Sequence, residues 1–112
     1  MSQVAHDPLV LRTALPGFCE EVKGLLEQEN ESGLASQVAD LLIVARCRCG
    51  DDFCATFYTQ PKPDGAYGPG HRCLEVEPKR RMIILDVLGE KIAQVEMLYR
   101  DEIRAALIAA LP

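Results

Sequence analysis

The stretch Leu41 to Thr59, LLIVARCRCGDDFCATFYT, holds three of the five cysteines and a Gly-Asp-Asp turn between two segments rich in β-branched and aromatic residues. That is how a β-hairpin is written. Faces alternate along each strand and opposed residues share a face, so the parity of the pairing decides which side chains meet.

Two registers compete. If Cys49 lies opposite Cys54, then Cys47, Cys49, Cys54, Thr56 and Tyr58 share one face, and Arg46 and Arg48 join Phe53, Ala55 and Phe57 on the other. Guanidinium groups would then be pressed among core aromatics, where an unpaired buried charge costs several kcal/mol. If Cys49 instead lies opposite Phe53 across Gly50-Asp51-Asp52, one face collects Ile43, Ala45, Cys47, Cys49, Phe53, Ala55 and Phe57 and is apolar throughout. The other carries Leu42, Val44, Arg46, Arg48, Cys54, Thr56 and Tyr58. The second register has no local conflict and is the expectation. It makes Cys47 and Cys49 small buried hydrophobes and turns Cys54 away from them.

A zinc site is the alternative, built from Cys49, Cys54, His71 and Cys73, since the last two share a face if their segment is a strand. Its spacing is not the repeated CxxC pair of a strong zinc signal, and a structural site needs all four ligands to converge. Otherwise no cofactor is expected. A redox role for Cys54, exposed beside Arg46 and Arg48, is a further alternative.

At 112 residues, with 48% hydrophobic and 26% charged residues, the chain is expected to form one domain around one core. A net charge of -5 argues against a nucleic-acid partner. Lys79, Arg80 and Arg81 form the single basic run and read as a solvated connection. An odd number of cysteines, with neither a leader-like N-terminus nor a stretch of membrane-spanning length, leads to the expectation of a cytoplasmic protein with reduced thiols and no membrane partner.

Asp7-Pro8 suits a helix start, so Pro8 to Ala14 is read as a short helix ended by Pro16. Phe18, Val22, Leu25 and Leu26 recur at helical spacing and predict a second helix from about Pro16 to Gln28, with Cys19 packing beside the stripe. Leu34 to Asp40 reads as a third. After the hairpin, Gln60 to His71 (QPKPDGAYGPGH) has three prolines and three glycines and is a long loop, with Tyr67 at its tip. Tyr67 and His71, with Tyr58, Arg46 and Arg48 of the mixed hairpin face, are the candidate partner-binding residues.

Cys73 to Glu77 alternates as a half-exposed strand. Met82 to Val87 and Lys91 to Tyr99 form a second hairpin around Leu88-Gly89-Glu90, with Ile83, Leu85 and Val87 facing Ala93, Val95, Met97 and Tyr99. Asp86 and Glu96 fall on the opposite side and are expected to be solvated rather than an acid/base pair. A final helix, Arg100 to Leu111, presents Ile103, Leu107 and Leu111 to the sheet.

The fold class that follows is α+β: N-terminal helices, an antiparallel β-meander of about five strands, and a C-terminal helix packed on the sheet. CRCGDDFCATF and ILDVLGEKIAQVEML resemble segments of small bacterial β-meander proteins with no assigned activity. The resemblance implies the meander and no catalytic residue. The function expected is a non-enzymatic cytoplasmic module that binds protein, either itself as a homodimer through a sheet edge or as an inhibitor or immunity-type partner. A small structural zinc module and a thiol redox sensor are the alternatives.

Overall fold

Helix α2, Pro16–Gln28, starts on a proline at its first position and buries Phe18, Cys19, Val22 and Leu26. It stops where Asn30 turns to φ 60°, which lets the Asn30 N–H reach Glu27 O at 3.1 Å and the Glu31 N–H reach Leu26 O at 2.9 Å. This left-handed cap satisfies carbonyls that the helix end would otherwise orphan. The computed structural model describes residues 9–76 and 83–112. The expected helix start at Asp7-Pro8 and the basic run Lys79 to Arg81 lie outside them.

Short helices α1, Leu11–Ala14, and α3, Ser32–Ala35, flank α2, and a 3-10 turn at Val38–Asp40 replaces the rest of the expected third helix. Strands β1 (Ala45–Arg46), β2 (Phe57–Tyr58), β3 (His71–Glu75), β4 (Ile83–Leu88) and β5 (Lys91–Met97) precede α4, Asp101–Ala110. The architecture is α+β, with one antiparallel sheet in the order β1-β2-β5-β4-β3. Leu11, Phe18, Val22, Leu26 and Leu34 join Phe57, Ile83, Leu85, Val95, Met97, Ile103 and Leu107 in one core. Arg100, at the start of α4, donates to the Glu21 carboxylate of α2 and so ties the two long helices together.

The β4–β5 hairpin turns on two residues, Gly89 and Glu90, at φ 57° and 61°. Positive φ at both centres is the twist that suits a two-residue hairpin. The sequence suggests a three-residue turn, and the difference is absorbed by an irregularity: Asp86 opposes Gln94, but Val87 opposes Ile92. Ala93 is the extra residue, so Ile92 and Ala93 are both 1% exposed although they are adjacent.

The β1–β2 register corrects the expectation. Ala45 pairs with Tyr58 and Arg46 with Phe57. Cys47 N–H then donates to Thr56 O at 2.9 Å. This is the parity of the rejected register. Its objection, two arginines among aromatics, is met from a distance: Arg46 Nε donates to Leu111 O at 2.6 Å, and Arg48 donates to Leu111 O and Pro112 O at 3.3 and 3.1 Å. Cations at the negative end of a helix are favourable, and the guanidinium groups leave the core face at its edge. Arg46→Ala should therefore lower stability by about 1 kcal/mol, read by urea denaturation, with α4 fraying from its last turn in hydrogen exchange.

Candidate functional site

The corrected register puts three thiols in one place. The sulfurs of Cys47, Cys49 and Cys54 all lie within 4.8 Å of one another. Cys47 ends the β1 pairing, Gly50 turns the chain at φ 87°, and the Cys54 N–H closes a turn on Asp51 O at 3.2 Å. Cys54 also bridges to Leu98 and so anchors the loop to the end of β5. A cavity of about 40 Å³ opens beside Cys47 and Cys54, walled by Arg104, Leu107 and Ile108 of α4.

The thiols differ in acidity. Burial, together with the neighbouring Cys49 and Cys54 thiols, pushes Cys47 up to about 11. Burial also raises Cys54, but hydrogen bonds from Thr56, Cys49 and Cys47 outweigh it and hold Cys54 below the usual thiol value. Tetrahedral zinc with bonds of about 2.3 Å places its sulfurs roughly 3.8 Å apart, so the cluster needs only small side-chain rotations to close on an ion. Cys19 is 1% exposed and packs in the core, as its position on α2 suggests.

The second face of the sheet is polar and is covered by the loop after β2. Tyr67 does not project from a loop tip: its hydroxyl donates to Gln94 Oε1 at 2.9 Å, and its ring stacks on His71 at 4.7 Å. Beneath the loop, Asp86 is 3% exposed, which corrects the expectation that it is solvated. Asp86 Oδ1 pairs with His71 Nε2 at 2.8 Å and accepts from Cys73 Sγ at 3.3 Å.

Glu96 lies diagonal to Asp86, since Ile84 opposes Glu96 and Asp86 opposes Gln94. Asp86 keeps the charge. Burial raises its carboxyl, but hydrogen bonds to Glu96, His71 and Cys73 bring it below the usual value. The hydrogen bond to Asp86, and then burial, push Glu96 up to about 7, so Glu96 carries the proton the pair shares.

The sign of the pH effect follows. A carboxyl raised from 4.5 to about 7 on folding binds its proton more tightly in the folded state, so its contribution is greatest below pH 4.5 and is lost as pH rises to 7. Glu96→Gln should flatten that fall in stability, measured as unfolding midpoint against pH. Asp86 acts oppositely, favouring the fold above its ordinary range and losing that as pH falls through its lowered value.

The four-ligand zinc set named as the alternative does not assemble. Cys49 and Cys54 belong to the β1–β2 end and His71 and Cys73 to β3, with β5 and β4 between them. At about 4.8 Å per strand spacing, β2 and β3 stand roughly 14 Å apart. The candidate partner-binding residues also have internal partners: Arg46 and Arg48 hold α4, Tyr67 and His71 stack, and Tyr58 is 7% exposed. Sequence reasoning set Asp86 and Glu96 aside as solvated and did not single out Gln94. The signal available was the placement of His71 and Cys73 on one strand face, which needed the β3–β4 register to bring in Asp86.

Among the described residues, no helix is long and apolar enough to cross a membrane. A scan against protein-family models, a search of curated proteins and a search of solved structures each found no match.

Proposed function

We propose that the chain is a small non-enzymatic module that binds a thiophilic metal ion, zinc foremost, through Cys47, Cys49 and Cys54. The observation that carries this reading is the convergence of three sulfurs within 4.8 Å in a loop that backbone pairing leaves largely unsupported. Three thiolates around a divalent ion leave a net negative charge, and Arg46 and Arg104 line the adjoining cavity to offset it. The fourth position falls to water or to a donor from a partner. Catalysis by pairing these thiols with His71 is disfavoured because His71 lies across the sheet on β3.

The ion's role in this reading is structural. It fixes the turn that carries Phe53, whose ring stacks on Tyr99 at 5.5 Å while the two are 37% and 60% exposed. That aromatic pair is a surface for a protein partner, consistent with the depleted charge and enriched aromatics of interface centres.

Elemental analysis of protein purified without chelator is the test. Wild type should carry one more equivalent of zinc per chain than Cys54→Ser. Equal zinc in the two overturns the reading. The raised acidity of Cys54, whose hydrogen bonds hold it below the usual thiol value, favours one rival, a redox thiol resolved by Cys47 or Cys49. That rival expects zinc-free protein whose three hairpin thiols lose two alkylation sites on mild oxidation.

A further inference from the structure

The polar face holds a second convergence of unlike donors. His71 and Cys73 alternate on edge strand β3, and Cys73 is directly opposed to Asp86 on β4. An imidazole nitrogen, a thiol sulfur and a carboxylate oxygen therefore meet within 4.8 Å of one another. The thiol lies 3.9 Å from His71 Nε2, and both contact the same oxygen, Asp86 Oδ1.

Two features separate this group from a chance surface cluster. The Asp86 side chain is 5% exposed, and its buried Oδ2 makes no hydrogen bond of ordinary length and angle to any described residue. A carboxylate drawn that far from water needs a positive partner to offset its desolvation. In addition, the Tyr67 ring fixes the plane of the imidazole, and Tyr67 is itself pinned by Gln94. Groups that orient a ligating histidine and a ligating carboxylate from behind are what a metal centre requires.

The arrangement does not suit a nucleophilic thiol. In a cysteine–histidine–aspartate relay the two imidazole nitrogens serve different partners, whereas here Nε2 faces both the thiol and the carboxylate.

We propose that His71, Cys73 and Asp86 form a second metal site, taking a borderline divalent ion such as zinc, cobalt or nickel. Mixed nitrogen, sulfur and oxygen donors select these over calcium or magnesium, which prefer oxygen alone. On binding, the Cys73 S–H proton now directed at Asp86 leaves to solvent and a sulfur–metal bond takes its place, with no change in oxidation state. The site lies on the edge strand of the sheet, so an ion reaches it without opening the core. It stands apart from the hairpin thiols and does not rest on their binding anything.

Cobalt(II) titration of the Cys47→Ser/Cys49→Ser/Cys54→Ser protein, followed by visible absorption and equilibrium dialysis, tests this. One equivalent should bind, with a sulfur-to-cobalt charge-transfer band, and His71→Ala or Asp86→Asn on that background should weaken binding at least about tenfold. No binding by the triple variant, or equal binding after His71→Ala, overturns the proposal. A parallel measurement on wild type covers the case in which the triple variant fails to fold. Zinc added to 15N-labelled protein should shift the His71 ring nitrogens, assigned by their absence in His71→Ala, and unmoved resonances at two equivalents overturn the proposal equally. Failure of the hairpin site would look different, with triple variant and wild type binding the same amount of metal.

Discussion

Phe57→Ala should lower the free energy of unfolding by about 3–5 kcal/mol, while Phe53→Ala should cost about 1 kcal/mol. Both are hairpin phenylalanines four residues apart, but Phe57 lies within β2 and Phe53 in the turn before it. Phe57 is 0% exposed, opposes Val95 in the sheet centre and meets the Phe18 ring edge-on at 6.2 Å. Deleting its ring opens a cavity between α2 and the sheet, where packed neighbours on both sides resist collapse. Phe53 sits outside the paired region and forfeits mainly its stack on Tyr99. Urea denaturation of the two variants separates these outcomes. Equal losses would mean that the Phe53 ring is packed in the core as fully as that of Phe57.

Saturating zinc should raise the unfolding free energy by about 2.7 kcal/mol at a free concentration one hundred times the dissociation constant. Thermal unfolding of chelator-treated and zinc-loaded protein measures this, and Cys47→Ser, Cys49→Ser and Cys54→Ser should each remove the hairpin's share of the increment. β1 and β2 contribute two paired residues each, so the loop between Cys47 and Thr56 has little backbone pairing to hold it. Zinc would supply there the cross-linking that the short ladder does not. A Cys54→Ser protein with the same zinc-dependent midpoint as wild type would count against the hairpin as the source.

Local regularity made most of the fold readable. Helix α2 falls at the expected Pro16 to Gln28 because proline at its start and a clean apolar stripe act within one element. Strands β4 and β5 follow from uninterrupted alternation of Ile83, Leu85 and Val87 and of Val95 and Met97. The thiol cluster was hidden for a non-local reason. The partner that makes the arginine register tolerable is the carbonyl of Leu111, 65 residues from Arg46.

Asp86 was misjudged for a related reason. Alternation correctly put it on the side away from the apolar core, but the cover on that side is a proline- and glycine-rich loop with no period to read. Tyr67 was picked out as an outward contact, yet a tyrosine gains more by laying its ring on His71 and satisfying its hydroxyl on Gln94.

The doubled position at Ala93 works like a spacer in a gear train. Upstream of it on β5 the teeth engage β4 in one phase, and downstream in the next, so that Ile92 and Val95 both point to hydrocarbon while Gln94 and Glu96 stay beside Asp86. Excising that single alanine would bring the two phases back into step: with the Gly89-Glu90 turn unchanged, Ile92 would still oppose Val87 and Gln94 would still oppose Asp86, now along an unbroken ladder without the local twist the extra residue adds.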